Sequence, residues 1–255
     1  MSASPAIWRD EFLAAAAFLT RLPLGGTRPD LPAPSLAQAA WAFPLVGLIV
    51  GASGSIAYGI ASALALPRLA AALIAIAATV LVTGALHEDG LADTADGFGG
   101  GATRDDKLAI MRDSRSGAYG VLALIFSVGL RAAAIADIPT RWQVLGALVA
   151  AHALARAVLP AALRLLPPAR SDGLGAAAGQ PEQRAALIAL GIGLVAAAIG
   201  IGLRAGLSAA LATALIAAAI GWLAQRQIGG QTGDVLGAIE QGAETVTLLA
   251  AAAWS

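Results

Sequence analysis

The stretch F43-P-L-V-G-L-I-V-G-A-S-G-S-I-A-Y-G-I-A-S-A-L64 carries no charged side chain from end to end. A bilayer core of about 30 Å takes roughly 17–25 helical residues to cross, so this segment reads as a membrane-spanning helix. Five more blocks of the same kind lie near 69–86, 118–136, 143–166, 185–203 and 207–224. A seventh, 243–254, is short enough to be a span, a re-entrant helix or an interfacial one. Residues 8–22, closing at Pro23, read as an interfacial or re-entrant helix with Trp8 and Arg9 in the headgroup layer. No cleavable signal is expected, because Arg9, Asp10 and Glu11 precede any long apolar run. The expected fold class is therefore all-α: a polytopic transmembrane helical bundle of about six or seven spans plus that N-terminal helix. Small-residue pairs such as Gly47/Gly51 and Gly193/Gly200 supply faces on which such helices pack closely.

Composition agrees. Hydrophobic residues make up 58% of the chain and charged ones 13%, with a mean hydropathy of +0.76. That is about half the charge a soluble domain uses to wet its surface. Zero net charge argues against a nucleic-acid partner. The absence of cysteine excludes disulfides, iron–sulfur clusters and thiolate zinc sites. His87 and His152 are too few for a histidine-rich metal centre.

The basic residues orient the bundle. Arg9, Arg21, Arg28, Arg104, Lys107, Arg112, Arg115, Arg164, Arg170, Arg184 and Arg226 fall on one side. Only Arg68, Arg141 and Arg204 fall on the other, while Arg131 and Arg156 sit within spans. The positive-inside rule places the first side in the cytoplasm of a bacterial inner membrane, together with every polar motif.

The densest of those motifs is H87-E-D-G-L-A-D-T-A-D-G97. At 100° per residue, Asp89, Asp93 and Asp96 fall at about 0°, 40° and −20° on a helix, one narrow face. Carboxylates stacked so closely repel one another unless a cation lies between them, and hard oxygen donors suit magnesium or manganese. Gly90 and Gly97 suggest close backbone approach by a ligand. The stretch I110-M-R-D-S-R-S-G-A-Y-G120 adds Arg112 and Arg115, three apart and so on one helical side, with Asp113 between them. Guanidinium groups grip phosphate oxygens bidentately, so aspartate-held metal beside arginines fits a diphosphate substrate. A third stretch, I228-G-G-Q-T-G-D-V-L-G-A-I-E-Q-G-A-E244, offers an anion the backbone of Gly229, Gly230, Gln231, Thr232 and Gly233, plus the Asp234 carboxylate. It lacks the Gly-Lys-Ser/Thr of a P-loop. Glu240 and Glu244 read equally well as interfacial charges. Arg156, inside a span, is expected to pair with a carboxylate or a phosphate; His152, one turn before it, reads as structural.

Taken together, these stretches resemble the cobalamin synthase family, adenosylcobinamide-GDP ribazoletransferase, along essentially the whole chain. F18-L-T-R-L-P23, F43-P-L-V-G-L48, H87-x-D-G-L-A-D-T-x-D-G97, M111-R-D-S-R-x-G-x-Y-G120, A155-R156, G173-L-G175 and G229-G-Q-T-G-D-x-L-G-A238 carry the likeness. Only the loop near 176–183, after G173-L-G175, is less typical. The resemblance implies a single integral-membrane catalytic domain, 1–255. It implies the substrates adenosylcobinamide-GDP and α-ribazole (or α-ribazole 5′-phosphate), GMP as leaving group, and adenosylcobalamin or its 5′-phosphate as product. Read on this chain, Asp89, Asp93 and Asp96 would hold magnesium. Arg112, Arg115, Asp113, Arg156 and the Gly229–Asp234 loop would hold substrate, and Asp96 or else His87 would take the hydroxyl proton. The partners are then those substrates and the lipid bilayer, with a homo-oligomer or contact with other nucleotide-loop assembly enzymes left open.

Two rivals remain. A CDP-alcohol phosphotransferase also stacks aspartates on membrane helices, but as D-G-x-x-A-R with wider spacing than D89-G-L-A-D-T-A-D96. A transporter would spread polar residues to mid-depth through several spans, whereas the charges here are expected to gather in loops on one side.

Overall fold

The structure, a computed structural model, describes residues 5–24 and 33–255. Arg28 lies outside them. The described residues are built from helices: α1 (Pro5–Leu19), α2 (Leu36–Ala39), a 3-10 turn (Ala40–Ala42), α3 (Phe43–Ala63), α4 (Arg68–Thr83), α5 (Leu86–Gly100), α6 (Arg104–Ile110), α7 (Ala118–Asp137), α8 (Arg141–Ala157), α9 (Leu159–Leu165), α10 (Leu174–Ala178), α11 (Gln183–Ile201), α12 (Leu203–Ile228) and α13 (Gly233–Ala253). Five helices are long and apolar enough to cross a membrane, or six if the bent pair α4–α5 forms one span. This is the expected polytopic helical bundle.

Glycine seams hold it together. A Cβ at Gly47 would lie 2.3 Å from the His152 carbonyl oxygen, and one at Gly51 2.6 Å from Cα of Val149. A Cβ at Gly200 would lie 2.5 Å from the Gly146 carbonyl oxygen. The predicted small-residue pairs thus sit where α3 and α11 press against α8, the most buried span. Such seams gain dispersion contacts that lipid could not supply. α11 and α12, by contrast, turn most of their surface outward.

Two boundaries differ from the expectation, and both matter for the site. The block at 69–86 is not one straight span: α4 ends at Thr83, and Gly84 (φ 67°) and Ala85 (φ 58°) turn the chain so that α5 leaves at 92°. The second difference is the terminal helix, which begins at Gly233 rather than near 243 and spans 21 residues. At 1.5 Å per residue it is about 32 Å long. Its far end meets the start of α12, where Arg204 stacks on Trp254 at 4.0 Å. α13 therefore runs the full depth of the bundle. Its hydropathy hid this, because Glu240, Gln241 and Glu244 are all buried within it.

The antiparallel order leaves Arg68, Arg141 and Arg204 at one end and the segments around 96–117, 166–182 and 229–232 at the other. α1 lies at the second end, held by edge-on packing of Trp8 on Trp41 (4.7 Å) and a Trp41 Nε1 donation to Glu11 (2.6 Å). Its Ala15, Ala16 and Leu19 are buried.

Candidate active site

α5 crosses α13 at a close contact. A Cβ on Gly90 would come 2.8 Å from the Asp234 carbonyl oxygen, and one on Gly237 would come 3.0 Å from that of His87. The backbone that approaches Gly90 thus belongs to α13, and at Gly97 the neighbour is Met111, so neither glycine makes room for a ligand as the sequence suggested. The crossing faces Asp89 and Asp93 toward Asp234 in the first turn of α13. Asp89 is exposed, Asp93 half-buried and Asp96 buried. Burial first, then the charges of Asp89, Asp234 and Asp96, push Asp93 up to about 7, against a weaker pull from Arg170. A cluster that raises its own carboxylate this way has the donor chemistry for a divalent cation, which would relieve the repulsion.

Asp96 is committed differently. Its carboxylate accepts from the N–H groups of Gly117 (2.6 Å) and Gly120 (2.8 Å), capping the N-terminus of α7. A Cβ at either glycine would fall within 2.5 Å of those oxygens. The acidic and basic motifs are thereby pinned to each other.

Residues 111–117 are turn and loop, so Arg112 and Arg115 do not share a helical side. The α7 cap at Gly117 ends any helix there. Arg112 binds Asp172 through two contacts of 2.8 and 2.9 Å, and Arg115 binds Asp113 at 2.6 Å. Hydrogen bonds from Arg115 hold the Asp113 carboxyl below its ordinary range. In the glycine loop, Gln231 and the backbone of 166–169 form an isolated bridge: Gln231 N donates to Pro167 O and Ala169 N to Gln231 O, both 2.8 Å. Gly230 is required there, since a Cβ would meet the Pro167 carbonyl. Gly229 (φ 82°) closes α12, and Thr232 caps α13 and also donates to Asp234 (3.1 Å). Gly233 opens α13 beside Asp234.

The structure also gathers residues that the sequence reading left apart. Arg170, counted before only as a basic residue, reaches Asp234 with Nη2 (3.5 Å) and Asp172 with Nε (3.9 Å). Nothing local in the sequence marks it, because the bridge to Gln231 is what brings it to α13.

Deeper in the bundle, Glu240 and Glu244 are fully buried rather than interfacial. Arg156 contacts Glu240 at 2.6 Å, and His152 contacts Glu244 at 3.1 Å. Arg131 binds Glu244 (2.8 Å) and reaches Glu88 (3.4 Å). Gln241 donates to Glu88 and Glu240. His87 points into this network, with Nδ1 3.7 Å from Glu240 and 3.4 Å from Arg156. Charges therefore do reach mid-depth, contrary to the expectation that they stay in loops. The signal for this was available: two i, i+4 pairs on antiparallel helices, His152/Arg156 and Glu240/Glu244, form opposed rungs. His152, Glu240 and Glu244 each place a ligand atom within 4.8 Å of the others. Arg156 and Arg131 already neutralise both carboxylates, so the set is an ion-pair core.

A family model described as cobalamin-5-phosphate synthase matches residues 11–252. The chain belongs to that family. It is 52% identical to an adenosylcobinamide-GDP ribazoletransferase of Bradyrhizobium diazoefficiens, across 94% of this chain and 92% of that one. A Mesorhizobium japonicum protein of the same name is 45% identical across 98% and 96%. One from Azorhizobium caulinodans is 46% identical across 92% of each chain. No solved structure matches the chain.

Proposed function

We propose that this chain transfers the adenosylcobinamide-phosphate moiety of adenosylcobinamide-GDP to α-ribazole or α-ribazole 5′-phosphate. A ribazole hydroxyl oxygen bonds to the phosphorus on the cobinamide side, the bond to the GMP oxygen breaks, and the hydroxyl proton is released. The observation that carries this reading is the end-to-end family match.

Asp89, Asp93 and Asp234 are the carboxylates that would hold magnesium. When bound, the ion would neutralise charge on the diphosphate and its leaving oxygen. Asp96 serves the same centre indirectly, by fixing α7 and the arginine loop against α5. Arg112 and Arg115 stand at the aqueous rim, where they meet incoming phosphate oxygens. Arg156 and His87 act from below through the ion-pair core, which locks α5 and α8 against α13. The charge bias supports a bacterial inner membrane, with the site facing the cytoplasm. That orientation gives a nucleotide-linked substrate direct access.

The test is an assay of membranes carrying the protein, with adenosylcobinamide-GDP, α-ribazole and magnesium, following GMP. Release that stops on chelation is expected. Turnover of CDP-diacylglycerol with an alcohol, and none of the cobinamide substrate, would assign the chain to the rival chemistry.

A further inference from the structure

Beside the aspartate cluster, the loop carrying Arg170 and helix α6 border an open concavity. Its volume is about 480 Å³, within the ~300–1,000 Å³ typical of small-ligand sites. Arg104, Asp105, Ala109, Arg112, Arg170 and Asp172 are among its lining, so charged groups border it where it opens at the aqueous end of the bundle. Two of its arginines are already engaged. Arg104 donates from Nε to the Ile228 carbonyl (2.9 Å) and also to that of Ala169, clamping the loop to α12, and Arg112 is held by Asp172. Arg170 is different. Its side chain stands between this pocket and Asp234, and its buried Nη1 has no hydrogen-bond partner among the described residues. A buried guanidinium nitrogen left unpaired costs free energy that an arriving acceptor recovers.

Resting on the reaction proposed above, we infer that this pocket seats the GMP portion of adenosylcobinamide-GDP, with Arg170 holding a diphosphate oxygen at its mouth. The placement follows from chemistry at both ends. The diphosphate must lie against the aspartate cluster, and among the described residues Arg170 is the one cation that touches both Asp234 and the pocket. A corrinoid is too large for this volume. The benzimidazole of ribazole is apolar and carries no N–H, so it gains nothing from a wall bearing Asp105 and Asp172. Guanine presents a ring N–H and an amino group, donors that such carboxylates accept.

Ala109 is exposed on α6 and lines the pocket, so a larger side chain there fills the cavity without entering the core. In the full-length protein in proteoliposomes, Ala109→Trp should raise the Michaelis constant for adenosylcobinamide-GDP and the inhibition constant for GMP each about tenfold. The Michaelis constant for α-ribazole should not move. Arg170→Gln should show the same split, with a fall in turnover besides. Unchanged GMP inhibition in both variants would overturn the pocket assignment, as would a rise confined to α-ribazole. Absence of GMP release by the unaltered protein would instead sink the reaction on which the inference rests.

Discussion

Two assemblies of carboxylates and arginines lie in this bundle within reach of the same helix, and they are built to opposite ends. In the interior, Glu88, Glu240 and Glu244 face Arg131, Arg156 and His152, and Gln241 bridges between carboxylates. At the open end, Asp89, Asp93 and Asp234 face one another; Arg170 pairs with Asp234 (3.5 Å) but offsets Asp93 only weakly. The closed set pairs its carboxylates with cationic side chains of the protein, as low-dielectric surroundings demand. The open set leaves negative charge unbalanced where water, metal and diphosphate can reach it. α13 carries members of both, with Asp234 in its first turn and Glu240 and Glu244 about two and three turns on. The interior pairs therefore fix the rigid element on which the open site is mounted, an arrangement that favours a precise site.

The largest effect should come from breaking the closed set. Arg156→Met leaves Glu240 buried without its guanidinium and should cost about 3–5 kcal/mol, read as a drop in melting temperature in detergent. Adding Glu240→Leu removes the orphaned charge and should recover most of that loss. If the double variant is no more stable than the single one, Arg156 and Glu240 are not a balanced pair. In the open set the consequence is reversed. Asp93→Asn should leave the melting temperature where it was, or raise it, while GMP release falls on the order of 10²–10³-fold. An Asp93→Asn protein that turns over normally would remove that carboxylate from the chemistry.

The same comparison explains what the sequence could disclose. Hydropathy located the spans because lipid-facing residues on α11 and α12 obey one simple rule. It failed for α13, whose polar residues are paid for by partners on other helices, and a window average cannot see partners. The aspartate spacing was legible since it is a local, helical property. That Asp96 faces α7 while Asp93 faces α13 was not, because it depends on where Gly90, Gly117 and Gly120 allow neighbouring backbone to approach. Arg170 was least legible: a lone arginine in a proline-flanked loop gains meaning only through the Pro168–Gln231 bridge. Arg112 and Arg115 were found as charges, but their pairing with Asp172 and Asp113 needed the loop geometry.

Asp96 offers the finest test, because it belongs to neither assembly entirely. As a cap its loss should resemble that of other N-terminal caps, about 0.5–2 kcal/mol of stability. Asp96→Asn keeps one acceptor oxygen and introduces an amide that can donate but not accept, so one of the bonds to Gly117 and Gly120 is lost. The expected result is a modest fall in melting temperature and a fall in turnover much smaller than that of Asp93→Asn, with the magnesium dependence retained. Gly120→Ala approaches the same contact from the other side, pressing a methyl group against the carboxylate, and should produce the same pattern. A loss of turnover in Asp96→Asn as deep as that in Asp93→Asn, at unchanged stability, would instead put Asp96 among the metal-facing carboxylates. The α7 amides would then orient a ligand oxygen in place of a cap.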